Sequence, residues 1–158
     1  MPFSPQSRVW VYQSNRRLND QEARDIQDKL NEFAATWKAH ERQLLARAEV
    51  RYNFFIILVA DENQAPVTGC SIDTSVRLIK EIEQQYGIDL FDRFNIAYKH
   101  EGQVIVNSKE DFETLVNIGQ VSEDTVVFNN MVQTLEELET KWELPFSESW
   151  HAVVFSKK

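Results

Sequence analysis

The one cysteine of the chain, Cys70, sits in a short joint, Gly69-Cys70-Ser71-Ile72-Asp73. An apolar run from Phe54 to Ala60 leads toward that joint, and a helical periodicity starting near Asp73 leaves it. A thiol at a helix N-terminus feels the partial positive charge of unpaired amides, which favours the thiolate. Ser71, Thr74 and Ser75 add hydroxyls on the same turn, whereas the Asp73 carboxylate opposes ionisation of the sulfur. The joint therefore reads in two ways. In one, Cys70 is the nucleophile of a thiol-dependent hydrolase or transferase, with a histidine as base and Arg51 orienting an anion. In the other, Ser71 or Asp73 is the N-cap of the helix and Cys70 an inert, small hydrophobe. Spacing favours the cap: Cys70 and Arg77 enclose six residues, one more than a phosphatase-type loop spans, and position 73 is Asp where a thioredoxin-type pair has its second cysteine.

Two further groups carry polar chemistry. Arg51-Tyr52-Asn53 precedes the apolar run, and Asn129-Asn130 follows Val126-Val127-Phe128. If both strands end on the same side of a sheet, Arg51, Asn53 and Asn129 line a polar pocket; otherwise the asparagines form turns. Trp150-His151 near the C-terminus sets an aromatic beside a proton carrier, although exposure statistics favour an ordinary surface histidine. His40, His100 and His151 lie far apart without metal-ligand spacing, so neither a metal nor a cofactor is expected. The carboxylate runs Asp25, Asp28, Glu32 and Glu136, Glu137, Glu139 fall on solvent faces of helices and are assigned no chemistry.

These residues need a scaffold, and 158 residues with 42% apolar and 11% aromatic content suffice for one substantial core. The longest apolar stretch is far too short to cross a bilayer, no secretion signal opens the chain, and one cysteine makes no internal disulfide. The chain reads as cytoplasmic. Seventeen basic against twenty-five acidic residues argue against nucleic acid or an anionic membrane as partner. The charge is uneven. Residues 1–50 carry eight basic and seven acidic groups, and residues 101–150 two and eleven.

Element by element, Val9 to Gln13 predicts a strand, followed by a helix from Asn19 or Asp20 with Glu22 in its first turn. Ala23, Ile26, Leu30, Phe33, Ala34 and Trp37 give that helix one buried stripe. Val50 to Ala60 reads as a long central strand covered on both faces, and Asp73 to Tyr86 as a second helix stopped by Gly87. Phe94 to Tyr98 and Gln103 to Val106 form a hairpin around His100-Glu101-Gly102. A third helix follows Ser108 and ends at Gly119; a short strand spans Thr125 to Phe128, a helix Leu135 to Trp142, and a last strand Trp150 to Phe155. Gly69, which stops no helix and turns no hairpin, predicts a positive φ or a close backbone approach. The class is α+β: a single-domain mixed sheet of about five or six strands with a parallel core, packed against amphipathic helices. Residues 1–7 and 156–158 are expected to be flexible ends.

The segments Val9 to Ser14, Arg51-Tyr52-Asn53, Gly69 to Asp73, Val127 to Asn130 and Ser149-Trp150-His151 together resemble a family of small uncharacterised bacterial proteins, some of them labelled ABC transporter ATPases. The resemblance implies a small bacterial cytoplasmic domain. The ATPase label fails on the residues, because Gly-Lys occurs nowhere and no glycine-rich loop exists to cradle phosphates. The sequence therefore points first to a binding or protein-interaction domain without ATPase activity, whose partner is a protein or a small polar ligand, with homodimerisation open. The thiol-dependent enzyme is the alternative. The site residues to follow are Cys70, Arg51, Asn53, Ser71, Asp73, Asn129 and His151.

Overall fold

The chain folds as two antiparallel sheets stacked face to face, with helices covering both outer faces. The computed structural model describes residues 3–63 and 65–155. Strand β1 (Arg8–Gln13) leads to helix α1 (Asp20–Thr36), the short strands β2 (Lys38–Ala39) and β3 (Arg42–Gln43), then β4 (Leu45–Arg51) and β5 (Phe55–Asp61). Helix α2 (Gly69–Tyr86) precedes the hairpin of β6 (Asn95–His100) and β7 (Gln103–Ser108). Helix α3 (Lys109–Asn117), β8 (Val126–Phe128), α4 (Leu135–Lys141), β9 (Glu143–Pro145), one 3-10 turn (Phe146–Glu148) and α5 (His151–Val154) complete the order.

The first sheet has the order β1-β5-β4 and the second β7-β6-β8-β9; β2 and β3 form a separate two-stranded ribbon. Every pairing is antiparallel. The single-domain α+β class holds, while the parallel core expected of one mixed sheet is replaced by separate antiparallel sheets. The cause is the segment read as one strand from Val50 to Ala60, which is two. Tyr52 and Asn53 both take left-handed backbone, with φ of 58° and 56°, and turn β4 back along β5.

All seven residues of β5 are buried, because it is paired on both edges and covered on both faces. Phe55, Ile57 and Val59 meet Val9 of β1 and face the second sheet, where Ala97, Val104 and Phe128 complete a shared core. Ile56 and Leu58 point the other way, onto Ile26 and Leu30 of α1 and Ile79 and Ile82 of α2. Ile96, Tyr98 and Val127 of the second sheet turn outward onto Phe112 and Val116 of α3 and onto Phe146 and Phe155. The layers run helix, sheet, sheet, helix. At their edge α4 inserts Leu135, Leu138 and Trp142 into the inter-sheet core.

A partly buried polar chain anchored on the buried Gln13 and Trp142 crosses between the sheets. Gln13 Nε2 donates to the Asn95 carbonyl at the start of β6, and Gln13 Oε1 accepts from Asn130 Nδ2 at 2.9 Å. Asn130 Oδ1 in turn accepts from Trp142 Nε1 at 2.9 Å.

Several local expectations are revised. Helix α1 starts where expected, with Asn19 and Glu22 forming a reciprocal capping box. Helix α2 starts four residues before Asp73, because Thr68 caps it and Ser71 returns the bond. Gly69 is therefore an ordinary first-turn residue, without positive φ and with nothing close to its missing side chain. The expected last strand at Trp150 to Phe155 is instead the α5 turn, whose buried His151 and Phe155 lie four residues apart as a helix requires. Residues 3–7 are not free: Ser4 N–H donates to Asp61 Oδ2, Ser7 is buried, and Leu135 N–H donates to the Ser7 carbonyl. The expected flexible segment 156–158 and residues 1–2 lie outside the described residues. No helix among the described residues is long and apolar enough to cross a membrane.

Because Asn130 serves two partners across the core, Asn130→Ala strands both Gln13 Oε1 and Trp142 Nε1. The substitution is expected to lower stability by about 2–4 kcal/mol. Urea unfolding checks this as a fall in midpoint with an unchanged m value.

Candidate functional site

The residues singled out from the sequence fall in three separate places. Cys70 is exposed in the first turn of α2. Ser71 beside it is buried and occupied, its Oγ accepting from Thr68 N–H at 2.7 Å and donating to the Thr68 carbonyl. Ser71 is thus the reciprocal member of the cap, and Asp73, expected as an alternative cap, is an exposed residue of the helix. The Ser71 carbonyl accepts from the buried Trp37 indole at 2.9 Å, which ties the end of α1 to the start of α2.

Arg51 and Asn129 do come together, on Trp142. The Arg51 guanidinium stands 5.2 Å from the indole centroid and pairs with Glu49 at 2.6 Å. Asn129 N–H donates to the Trp142 carbonyl at 2.6 Å, and its side chain spans from Met131 N–H to the Lys141 carbonyl. They meet different parts of that residue, Arg51 the indole ring and Asn129 the main-chain carbonyl, and the Asn129 side chain is taken up by its own turn. Asn53 faces elsewhere: its amide donates to the Leu18 carbonyl and to Asp20 Oδ1, fixing the β4–β5 turn to the start of α1.

The turn residue between them, Tyr52, was not singled out from the sequence. Its ring lies on Phe55, Phe128 and Trp142, and its hydroxyl donates to Glu143 Oε2 at 2.7 Å. Lys99 from β6 reaches the Tyr52 hydroxyl and forms an ion pair with Glu143, and the Glu143 contact is the main reason its pKa is raised. These contacts hold a β-sheet turn of one sheet to strands of the other. A tyrosine with positive φ is costly unless the surroundings fix it, and here they do.

His151 corrects the expectation of a surface histidine. It is 1% exposed, stacked on Trp150 and packed beside Phe112, with Nδ1 3.1 Å from Ser149 Oγ. Burial lowers its pKa to about 4. Cys70, Arg51 and His151 thus occupy different layers of the molecule. The roles of nucleophile, anion holder and base have no common point among them. Among the described residues no group of three or more His, Cys, Asp or Glu side chains is arranged to hold a metal.

A hollow of about 650 Å³ lies between α1 and α2 on the outer face of the first sheet. It contains none of the residues above. Lys29, Glu32, Phe33 and Thr36 of α1 form one wall, and Leu78, Glu81, Ile82 and Gln85 of α2 the other. Each set follows the i, i+3, i+4, i+7 spacing of a helix contact face. Two such stripes face each other across a gap because the helix backbones do not pack closely against one another. Both helices rest on β5 through the neighbouring residues Ile26, Leu30, Ile79 and Ile82, so the sheet fixes the separation of the walls. Phe33, Leu78 and Ile82 supply an apolar floor, and Lys29, Glu32 and Glu81 a charged rim. The signal for this groove was present in α1. Its apolar positions spread wider than one stripe, and Phe33 is only half-buried where full burial was expected.

No protein family, curated protein or solved structure matches the chain.

The His151 environment generates a pH prediction. A histidine with an ordinary value of 6.5 in the unfolded chain and about 4 when folded binds its proton more weakly in the native state. Stability is therefore full above about pH 6.5 and falls as the pH drops toward 4, by roughly 3 kcal/mol in total. His151→Leu is expected to remove that slope, measured by urea unfolding across the window.

Proposed function

We propose that this chain is a small interaction domain that takes up a partner segment along the face formed by α1 and α2. The observation that carries this reading is the groove of about 650 Å³ with facing helical stripes. Two amphipathic helices on a sheet ordinarily close against each other and bury such stripes mutually. Here the sheet contacts keep them apart, and the half-buried Phe33 and Leu78 above the buried Ile82 are left for something else to cover. The inter-sheet core, the Gln13–Asn130–Trp142 chain and the Tyr52–Lys99–Glu143 contact, by contrast, serve the stacking of the sheets. A nucleic acid is a poor candidate, since the helical layer is acidic.

The test is site-specific photocrosslinking in cells. Ala35, exposed at the groove lip, is replaced by a photoreactive phenylalanine, and exposed Glu139 on α4 serves as the control position. Crosslinked products are expected from position 35 and not from 139, and Leu78→Glu in the same chain should abolish them. Equal yields from both positions, or yields indifferent to Leu78→Glu, overturn the reading.

A further inference from the structure

We infer that the occupant of the α1–α2 groove is an amphipathic helix with basic flanks, contacting the groove over about two turns. This rests on the interaction-domain reading above and adds the chemistry of the partner.

Shape points to a helix. Each wall runs over eight residues of helix, Lys29 to Thr36 and Leu78 to Gln85, about 10 Å at 1.5 Å per step. The facing stripes of a two-walled helical cleft accept a third helix whose own apolar side chains recur at i, i+3 or i+4, and i+7. An extended peptide is the poorer fit, because the groove exposes no strand edge to pair with: β5, beneath the helices, is already paired on both sides.

Charge points to a basic one. Helix α1 carries five acidic and two basic residues, and α2 three and two, so the layer holds a net charge of about −4. At the groove itself Glu32 stands on one rim and Glu81 on the other against the single cation Lys29, and among the described residues none of the three enters a salt bridge, so the carboxylates outnumber the ammonium two to one. A helix seated on Phe33, Leu78 and Ile82 brings its two flanks beside those carboxylates. Lysine or arginine there pairs with both, while glutamate is repelled. A second copy of this chain is disfavoured by the same account, since it would oppose two acidic layers.

The experiment uses three synthetic peptides of about fifteen residues with one leucine stripe and lysine, glutamine or glutamate on the flanks. Each is titrated into the isotopically labelled full chain, with affinity from fluorescence anisotropy and location from amide shifts. The lysine peptide is expected to perturb Phe33, Leu78 and Ile82 and to bind about tenfold or more tighter than the glutamate peptide. Glu32→Lys with Glu81→Lys should erase or invert that preference, while the exposed control pair Glu123→Lys with Glu139→Lys, of equal charge change, should leave it in place. If all three peptides bind the groove with equal affinity, the basic partner is wrong and the groove reading stands. Equal loss of preference in both double variants attributes it to bulk charge and overturns the inference. Peptides that perturb amides elsewhere, or none, overturn the helical occupant, and the crosslinking at position 35 then decides separately whether the groove binds anything.

Discussion

The register of the two stacked sheets depends on one partly buried polar chain, from the Asn95 carbonyl through Gln13 and Asn130 to the Trp142 indole. The surrounding core of Val9, Phe55, Ile57, Ala97 and Phe128 is apolar and non-directional. Apolar faces alone tolerate sliding of one sheet over the other. An amide that must satisfy a carbonyl on one side and a second amide on the other does not, because each lost partner leaves a buried group without its bond. Gln13 ends β1, Asn95 begins β6, and Trp142 follows α4, so this chain sets the register of three elements that are distant in sequence.

From that register the rest follows. With the second sheet held against the inner face of β5, only the outer face remains for α1 and α2. Both helices find their depth from Ile56 and Leu58. Their lateral spacing is set by the sheet, with the Trp37–Ser71 bond as a clasp at one end. The groove is the result: a space between two helices whose positions are dictated from below. It is a property of how the layers stack, and neither helix alone would reveal it.

Much of the local structure was legible in the sequence. The start of α1 at Asn19 or Asp20 is readable to within one residue, Ser108 caps α3, Glu101-Gly102 turns the β6–β7 hairpin, and the non-alternating run in β5 foretells burial on both faces. What escaped was decided by tertiary contacts. The turn at Tyr52 carries no glycine, and a left-handed tyrosine is disfavoured locally, so two strands read as one. Gly69 looked like a backbone exception and is a helical residue, since the cap lies one position earlier at Thr68. Trp150 to Phe155 has strand-like composition but helical burial at positions 151 and 155. Of the candidate site, Arg51 and Asn129 both reach Trp142, one at its ring and the other at its carbonyl, while Asn53 turns to Leu18 and Asp20. The groove was hidden because Lys29, Glu32 and Glu81 look like an ordinary solvated face until the opposite wall is in place.

The anchored turn at Tyr52 has a consequence for how the molecule assembles. Its left-handed backbone is stabilised by a lysine and a glutamate that belong to the other sheet. The β4–β5 hairpin is adjacent in sequence and would otherwise be a natural early nucleus. Yet its bend is relieved of strain only when strands arriving some forty residues and more later are in position. The β4–β5 turn thus takes its support from the second sheet, which couples the formation of the first sheet to the arrival of the second.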